Sequence, residues 1–317
     1  MFEGDVGGYF GLELPSGRPP HAGSIALNSG RNGLRYLLLS RRPTKIYIPH
    51  FTCAGVARVV DDLGIEIERY SIDESMEPIF DFGSVRSDEA FLVTNYFGLK
   101  DNYIRGLVRL DCRFVIDNAQ SFFSPRVNDF ETFYSPRKFF GVPDGGYTFG
   151  GGGCEIELEG DHSSARMSHL LLRHDLSAQD GYGAYLANEN LLADAPMMGM
   201  SAISARILRS IDYDNVATIR KHNFEKLHEV LGPTNKIPID DDNERVALTY
   251  PYLSENRLLR AQLHAERIFT ATYWPELIEL DGPSDLEYYY AKTTVHLPID
   301  QRYDAADMCR ILEIIDP

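Results

Sequence analysis

The sequence predicts an α/β protein, with a large domain built on a mostly parallel sheet flanked by helices and a smaller C-terminal α/β domain. Three observations predict it. Short apolar runs of strand length recur, among them Lys45-Ile46-Tyr47-Ile48, Ala90-Phe91-Leu92-Val93-Thr94 and Arg113-Phe114-Val115-Ile116. Segments of helical character separate them, which indicates βαβ units. The chain has 317 residues, 44% hydrophobic and 25% charged, enough for one large packed domain and a smaller one.

Residues 1–22 read as an extended arm, because Gly7-Gly8, Pro15, Pro19 and Pro20 block regular structure. A helix opens at Gly33-Leu34 and runs to about Ser40. Lys45 to Ile48 is a strand that ends at Pro49. Ala54 to Leu63 is a helix stopped by Gly64, and Ile65 to Tyr70 is the next strand. Ala90–Thr94 reads as a buried strand, followed by Arg113–Ile116. Glu131–Tyr134 and Gly146–Phe149 are short strands around a polar loop. Gly150 to Gly153 reads as a hairpin turn leading into a strand, Cys154–Leu158, since the four glycines fit no nucleotide fingerprint. Ser201 to Leu231 has near-helical apolar spacing with a break around Asp212-Tyr213-Asp214, and Gly232-Pro233 ends it. The small domain then carries strands at Val246–Tyr250, Ile268–Thr270 and Thr294–Leu297, with helices at Glu255–Glu266 and Ala305–Ile315. The expected division is an arm (1–22), a large domain (23–232) and a small domain (233–317).

Composition excludes several functions. A net charge of −16 argues against a nucleic-acid or anionic-membrane partner. The four cysteines form no C-x-x-C pair, which fits reduced thiols in the cytoplasm. The N-terminal stretch lacks the basic start and apolar core of a signal peptide, and no apolar run reaches spanning length. The nine histidines show no H-x-x-x-H or H-E-x-x-H spacing, so no metal is expected. No Gly-x-Ser-x-Gly elbow appears.

Three segments carry possible chemistry. In Val115-Ile116-Asp117-Asn118-Ala119-Gln120 an apolar strand ends in a carboxylate, where open α/β sheets bind ligands; Asp117 as a simple turn cap is the competing reading. In Phe133-Tyr134-Ser135-Pro136-Arg137-Lys138-Phe139-Phe140 a lysine lies among aromatic residues. Partial burial there would lower its pKa and make it a Schiff-base nucleophile. Leu27-Asn28-Ser29-Gly30-Arg31-Asn32-Gly33-Leu34 opens a helix, so its free N–H groups and Arg31 suit a phosphate. Ordinary N-capping by Ser29 or Asn32 explains the same residues.

In this order the segments resemble the DegT/StrS-type aminotransferases, pyridoxal phosphate (PLP) enzymes of the aspartate-aminotransferase fold, fold type I, that often act on keto-sugars. The matching positions are Ser29-Gly30-Arg31-Asn32 at the helix start, Pro49-His50-Phe51-Thr52 after the next strand and Asp117-Asn118-Ala119-Gln120. They continue with Ser135-Pro136-Arg137-Lys138 followed by Gly145-Gly146. Looser matches follow at Met200-Ser201, Arg267–Thr270, Tyr273-Trp274-Pro275 and His296–Ile299. The resemblance implies that Lys138 holds PLP as a Schiff base and later shuttles a proton. It implies that Asp117 pairs with the ring nitrogen and keeps it protonated, and that Gln120 bonds near the ring hydroxyl. Ser135 and the backbone of Gly30, Arg31 and Asn32 would hold the phosphate. An aromatic ring is due just after Phe-Thr, where this chain has Cys53; Phe51, Tyr96 or Phe97 are the candidates to replace it. Met197 stands where the family's partner-donated asparagine falls, and Gly199 stands where its arginine does.

The implied activity is transfer of an amino group from a donor amino acid, glutamate in the first instance, to a keto or aldehyde acceptor such as a keto-sugar, by a cytoplasmic homodimer. A PLP-dependent sugar dehydratase is the near alternative, though such enzymes tend to carry histidine where this chain has Lys138. A catalytically silent binding or regulatory protein of the same fold is the distant one.

Overall fold

The computed structural model describes residues 6–152, 156–240, 242 and 244–315. In chain order its elements are β1 (Ile25–Leu27), α1 (Gly30–Arg41), β2 (Lys45–Pro49), α2 (Ala54–Asp62), β3 (Glu66–Tyr70), β4 (Ala90–Thr94), α3 (Asp101–Gly106), β5 (Phe114–Asn118), β6 (Glu131–Tyr134) and β7 (Gly146–Phe149). There follow α4 (Ser168–Asp175), α5 (Ala178–Ala193), α6 (Ala202–Arg209), α7 (Tyr213–Leu231), β8 (Tyr250–Leu253), α8 (Leu259–Ala265), α9 (Asp285–Thr293), β9 (Thr294–Leu297) and α10 (Ala305–Ile315).

The first seven strands form one sheet in the order β1-β7-β6-β5-β4-β2-β3, and β8 and β9 form an antiparallel pair. Pairing is parallel from β3 through β2, β4 and β5 to β6; β7 runs antiparallel to both β6 and β1. This is the mostly parallel sheet that the apolar runs predict.

Strand parity sets the two faces. Ile46, Ile48, Leu92 and Val115 pack on one side with Leu34, Leu37 and Leu38 of α1 and Val56, Val59 and Val60 of α2. Tyr47, Phe91, Val93, Phe114 and Ile116 point the other way, into a core shared with Phe224 and Leu227 of α7 and with the C-terminal strands and helices. Both faces of β4 and β5 are covered, so these strands carry no exposed polar face, whereas the edge strand β3 keeps Glu66 and Glu68 exposed. Leu37 is fully buried. Truncating such a leucine to alanine costs about 2–5 kcal/mol.

Several expectations are corrected. The strand expected at Val246–Tyr250 lies further on, at Tyr250–Leu253, because the carbonyls of Ala247 and Leu248 accept from Arg220 rather than from a neighbouring strand. Ile268–Thr270 is not a strand; the Ile268 N–H goes back to Leu263 and Phe269 is exposed. The helix expected over Glu255–Glu266 is confined to α8. Of the strand expected at Cys154–Leu158, residues 156–158 are irregular, and Cys154 and Glu155 lie outside the described residues. The break near Asp212 is where predicted: Asp212 caps α7 by accepting from the Asn215 N–H. The helices α4 and α5 pack against each other and have no counterpart in the sequence reading. No helix among the described residues is long and apolar enough to cross a membrane.

Candidate active site

The same parity that builds the core builds the site. Leu92 and Val115 face α1 and α2, so Thr94 and Asp117, two residues further along their strands, face that side too. Both stand at the carboxyl ends of paired parallel strands, in register with each other. Phe133 reaches the same side from β6. Together with the starts of α1 and α2 they enclose a cavity of about 280 Å³. Gly30, Arg31, Asp117, Gln120, Ser135 and Lys138 all line it.

The α1 end is a close-packed junction. Ser29 caps the helix, its Oγ accepting from the Asn32 N–H at 3.2 Å. A methyl group on Gly30 would sit 3.2 Å from the Ser135 Cβ, so the helix start and the turn after β6 are in contact. Gly146 is tighter still: a Cβ there would lie 2.3 Å from the Ser29 carbonyl oxygen, which only glycine avoids. α1 has twelve residues, so its positive end meets the cavity at Gly30, Arg31 and Ser135.

Asp117 is buried, and its Oδ1 accepts the Ala119 N–H at 2.8 Å. Desolvation pushes its pKa above the ordinary carboxylate value, against the opposing pull of Lys138 and the Ala119 bond. Gln120 is likewise buried; its Oε1 accepts the Phe97 N–H at 3.2 Å, while its Nε2 is buried without a partner. A desolvated carboxyl and an unspent amide donor on the wall of one cavity are what a bound polar ring would satisfy.

Lys138 lies in a short 3-10 turn after β6. Its Nζ stands 6.0 Å from the centre of the Tyr273 ring. The side chain is exposed, which corrects the burial read from its aromatic flanks. Phe139 and Phe140 turn instead into a core cluster with Phe122 and Tyr213, leaving Lys138 on the cavity side.

Two further expectations do not carry over. The Asn32 side chain points away from the cavity, to the Asn28 side chain and the Pro196 carbonyl, and its N–H is taken by Ser29. Phe51 is a core residue packed on Tyr96, Trp274 and Tyr290. Tyr96 and Phe97 are core residues too, whereas Cys53 itself lines the cavity, with Tyr273 and Trp274 forming its aromatic wall.

One lining residue, Glu189, and one supporting residue behind the cavity, Arg220, escaped the sequence as parts of the site. Glu189 reaches in from α5 and pairs with Arg137, the neighbour of Lys138. Arg220 is fully buried on α7, 4.6 Å from the Phe139 ring, and donates to Gln301, whose Nε2 in turn donates to the Phe139 carbonyl. It thereby ties the turn carrying Lys138 to the C-terminal segment. Helical periodicity marks Arg220 as part of α7 but not as a buried cation.

Similar solved structures share this fold. DesV from S. venezuelae, solved with a ketimine intermediate, matches at a TM-score of 0.65 and 17% identity, over 92% of this chain and 83% of that one. A DegT DnrJ EryC1 StrS aminotransferase from Brucella abortus matches at 0.63 and 19% identity, over 92% and 84%. Spr1654 from Streptococcus pneumoniae, solved in an apo form, matches at 0.67 and 13%, over 92% and 84%. The chain therefore has the fold of the fold-type-I PLP-dependent transferases. No protein-family model and no curated protein matches its sequence.

Proposed function

We propose that this protein is a PLP-dependent aminotransferase that moves an amino group from a donor amino acid, glutamate first among them, to a keto or aldehyde acceptor, with keto-sugars as the acceptor class. The observation that carries the reading is the meeting of Lys138, desolvated Asp117 and unpaired Gln120 Nε2 with the start of α1 in one cavity. The resemblance of the sequence motifs supports it, as do neighbours such as Spr1654, solved in a PMP form.

The residues fit the cofactor. Lys138 would hold its aldehyde carbon and Asp117 its ring nitrogen, Gln120 Nε2 would donate to a ring oxygen, and Ser135 with Gly30 and Arg31 would take the phosphate. PLP supplies an electron-withdrawing ring that stabilises negative charge on the substrate carbon beside it. Asp117 serves that chemistry by keeping a proton on the nitrogen: a cationic N–H at the carboxyl returns it to the charged form that burial opposes. The Lys138 Nζ, when free, moves the proton to and from the substrate carbon; it is the only amine among the described lining residues. Tyr273 and Trp274 shield that proton from water.

The same reading places the protein in the cytoplasm as a homodimer, with the division at residues 22 and 232. Leu171, Leu176, Tyr182, Leu186 and Leu191 on and between α4 and α5 are exposed, and α5 also brings Glu189 to the cavity, so a partner covering these helices would lie beside the site.

The test is spectroscopic. Protein incubated with PLP turns yellow with the absorbance band of a Schiff base, Lys138→Ala lacks the band, and glutamate bleaches it if glutamate is the donor. Protein that stays colourless at saturating PLP overturns the reading and leaves a silent protein of this fold.

A further inference from the structure

A second cavity, of about 540 Å³, opens between α8 and α9. Arg257, Arg260 and Lys292 line it, with Glu255 as the only acid. In a chain with 47 acidic and 31 basic residues this is a reversal of the background charge. The carboxylate is already engaged, since Glu255 pairs with Lys236. Arg257 and Lys292 are exposed and have no ion-pair partner among the described residues. Tyr289, 40% exposed, gives the same cavity a flat apolar face.

Arg260 joins this cavity to the active site. Its Nη1 donates to Thr272 Oγ1 at 2.7 Å and its Nη2 to the Thr294 carbonyl at 2.9 Å, while its Nε is buried without a partner. Thr272 directly precedes Tyr273 and Trp274, which wall the active-site cavity. Thr294 begins β9, whose His296 lies against the Tyr273 ring with centroids 4.7 Å apart. Both hydrogen bonds of the guanidinium therefore end on segments that hold Tyr273.

We propose that the cavity between α8 and α9 binds a small organic anion carrying a phosphate or carboxylate group, and that Arg260 transmits its occupancy to the Tyr273-Trp274 wall. Arg257 and Lys292 supply the unneutralised charge, and Tyr289 takes the apolar part of the ligand. An anion that draws on the Arg260 guanidinium competes with Thr272 and the Thr294 carbonyl for its donors, which shifts the wall.

PLP-loaded protein, at constant ionic strength, is titrated with inorganic phosphate and separately with malonate. Heat of binding and emission of Trp274, the only tryptophan in the chain, are recorded. The expected result is a saturable heat with one or both anions, together with a saturable emission change; which anion binds identifies the charged group. Arg257→Ala and Lys292→Ala each weaken binding by about tenfold, as loss of a charge-assisted contact does. Arg260→Lys keeps the charge but not the two-ended hydrogen bonding, so it retains the heat and loses the emission change. Absence of saturable heat with either anion overturns the proposal, and so does heat that persists unchanged in the Arg257→Ala/Lys292→Ala double variant. Binding of polyglutamate in place of both small anions also overturns it, in favour of a protein partner. The binding does not rest on the aminotransferase reading: Lys138→Ala protein binds equally well, so the two can fail separately.

Discussion

Asp117, near the end of β5, and Lys138, in the turn after the neighbouring β6, line one cavity, yet the protein holds them in opposite ways. Asp117 is the fourth residue of β5, paired on both sides, buried and pinned by the Ala119 N–H. Lys138 follows β6 in a turn, exposed, with its amine 6.0 Å from the centre of the Tyr273 ring. Under the proposed function, in which Asp117 is the counter-charge and Lys138 the nucleophile, the difference separates a group that is fixed from one that moves. A counter-charge works by being in place before the reaction, so rigid burial suits it despite the desolvation cost. A nucleophile that lets go and then carries a proton needs reach, which a strand interior denies.

The sharpest way to break the comparison is Asp117→Asn. If the fixed charge is what this position supplies, PLP still binds while turnover falls about 10²–10³-fold, the usual loss for a preorganised electrostatic group. Stopped-flow half-reactions with glutamate measure it, and an unchanged rate would remove Asp117 from the chemistry.

A second, smaller effect has the opposite sign. Burial raises the Asp117 pKa, so the folded, cofactor-free protein disfavours the ionised form relative to the unfolded chain. The penalty is in force above the folded-state pKa and disappears as pH falls through it to the ordinary carboxylate range. Asp117→Asn should therefore stabilise the cofactor-free protein at neutral pH by on the order of 1 kcal/mol. Urea denaturation at stepwise lower pH should show that gain shrinking to nothing.

The smallest effect belongs to the lysine. Lys138→Met, at an exposed turn position, should change the stability of the cofactor-free protein by about 0.5 kcal/mol or less. Because Lys138 is a cause holding the Asp117 pKa down, the same substitution should move that pKa further up, as followed by carboxyl NMR titration. A large loss of stability would show that Lys138 is structural.

The two ends of the chain were legible to different degrees. Ala90–Thr94 coincides with β4 because a strand covered on both faces leaves a nearly unbroken apolar run, and Glu131–Tyr134 coincides with β6, whose four residues are all buried. The edge strand β1 has three residues, too few for any period to register. In α5 the large apolar residues Tyr182, Tyr185, Leu186 and Leu191 face solvent, so no single buried stripe marks the helix. In the C-terminal part a side chain overrides local pattern: Arg220, far upstream, takes the backbone acceptors that a strand at Val246–Tyr250 would have used. At the site, Asp117 was legible because strand and carboxylate are adjacent in sequence. The exposure of Lys138 was not, because the aromatic residues beside it fix where they go and leave the lysine whichever side remains.

The contact between Gly146 and the Ser29 carbonyl joins segments more than a hundred residues apart, with α1, four parallel strands and β6 laid down in between. The notch at Gly30 and Ser135 is thus a keystone, absent from any fragment and complete only when the last strand of the sheet has been seated. A molecule that fits it reports on assembly of the whole domain and props it up by mass action, by about 2.7 kcal/mol at a hundredfold excess over its Kd. Supply of that molecule would then govern how much folded protein a cell keeps, apart from any turnover.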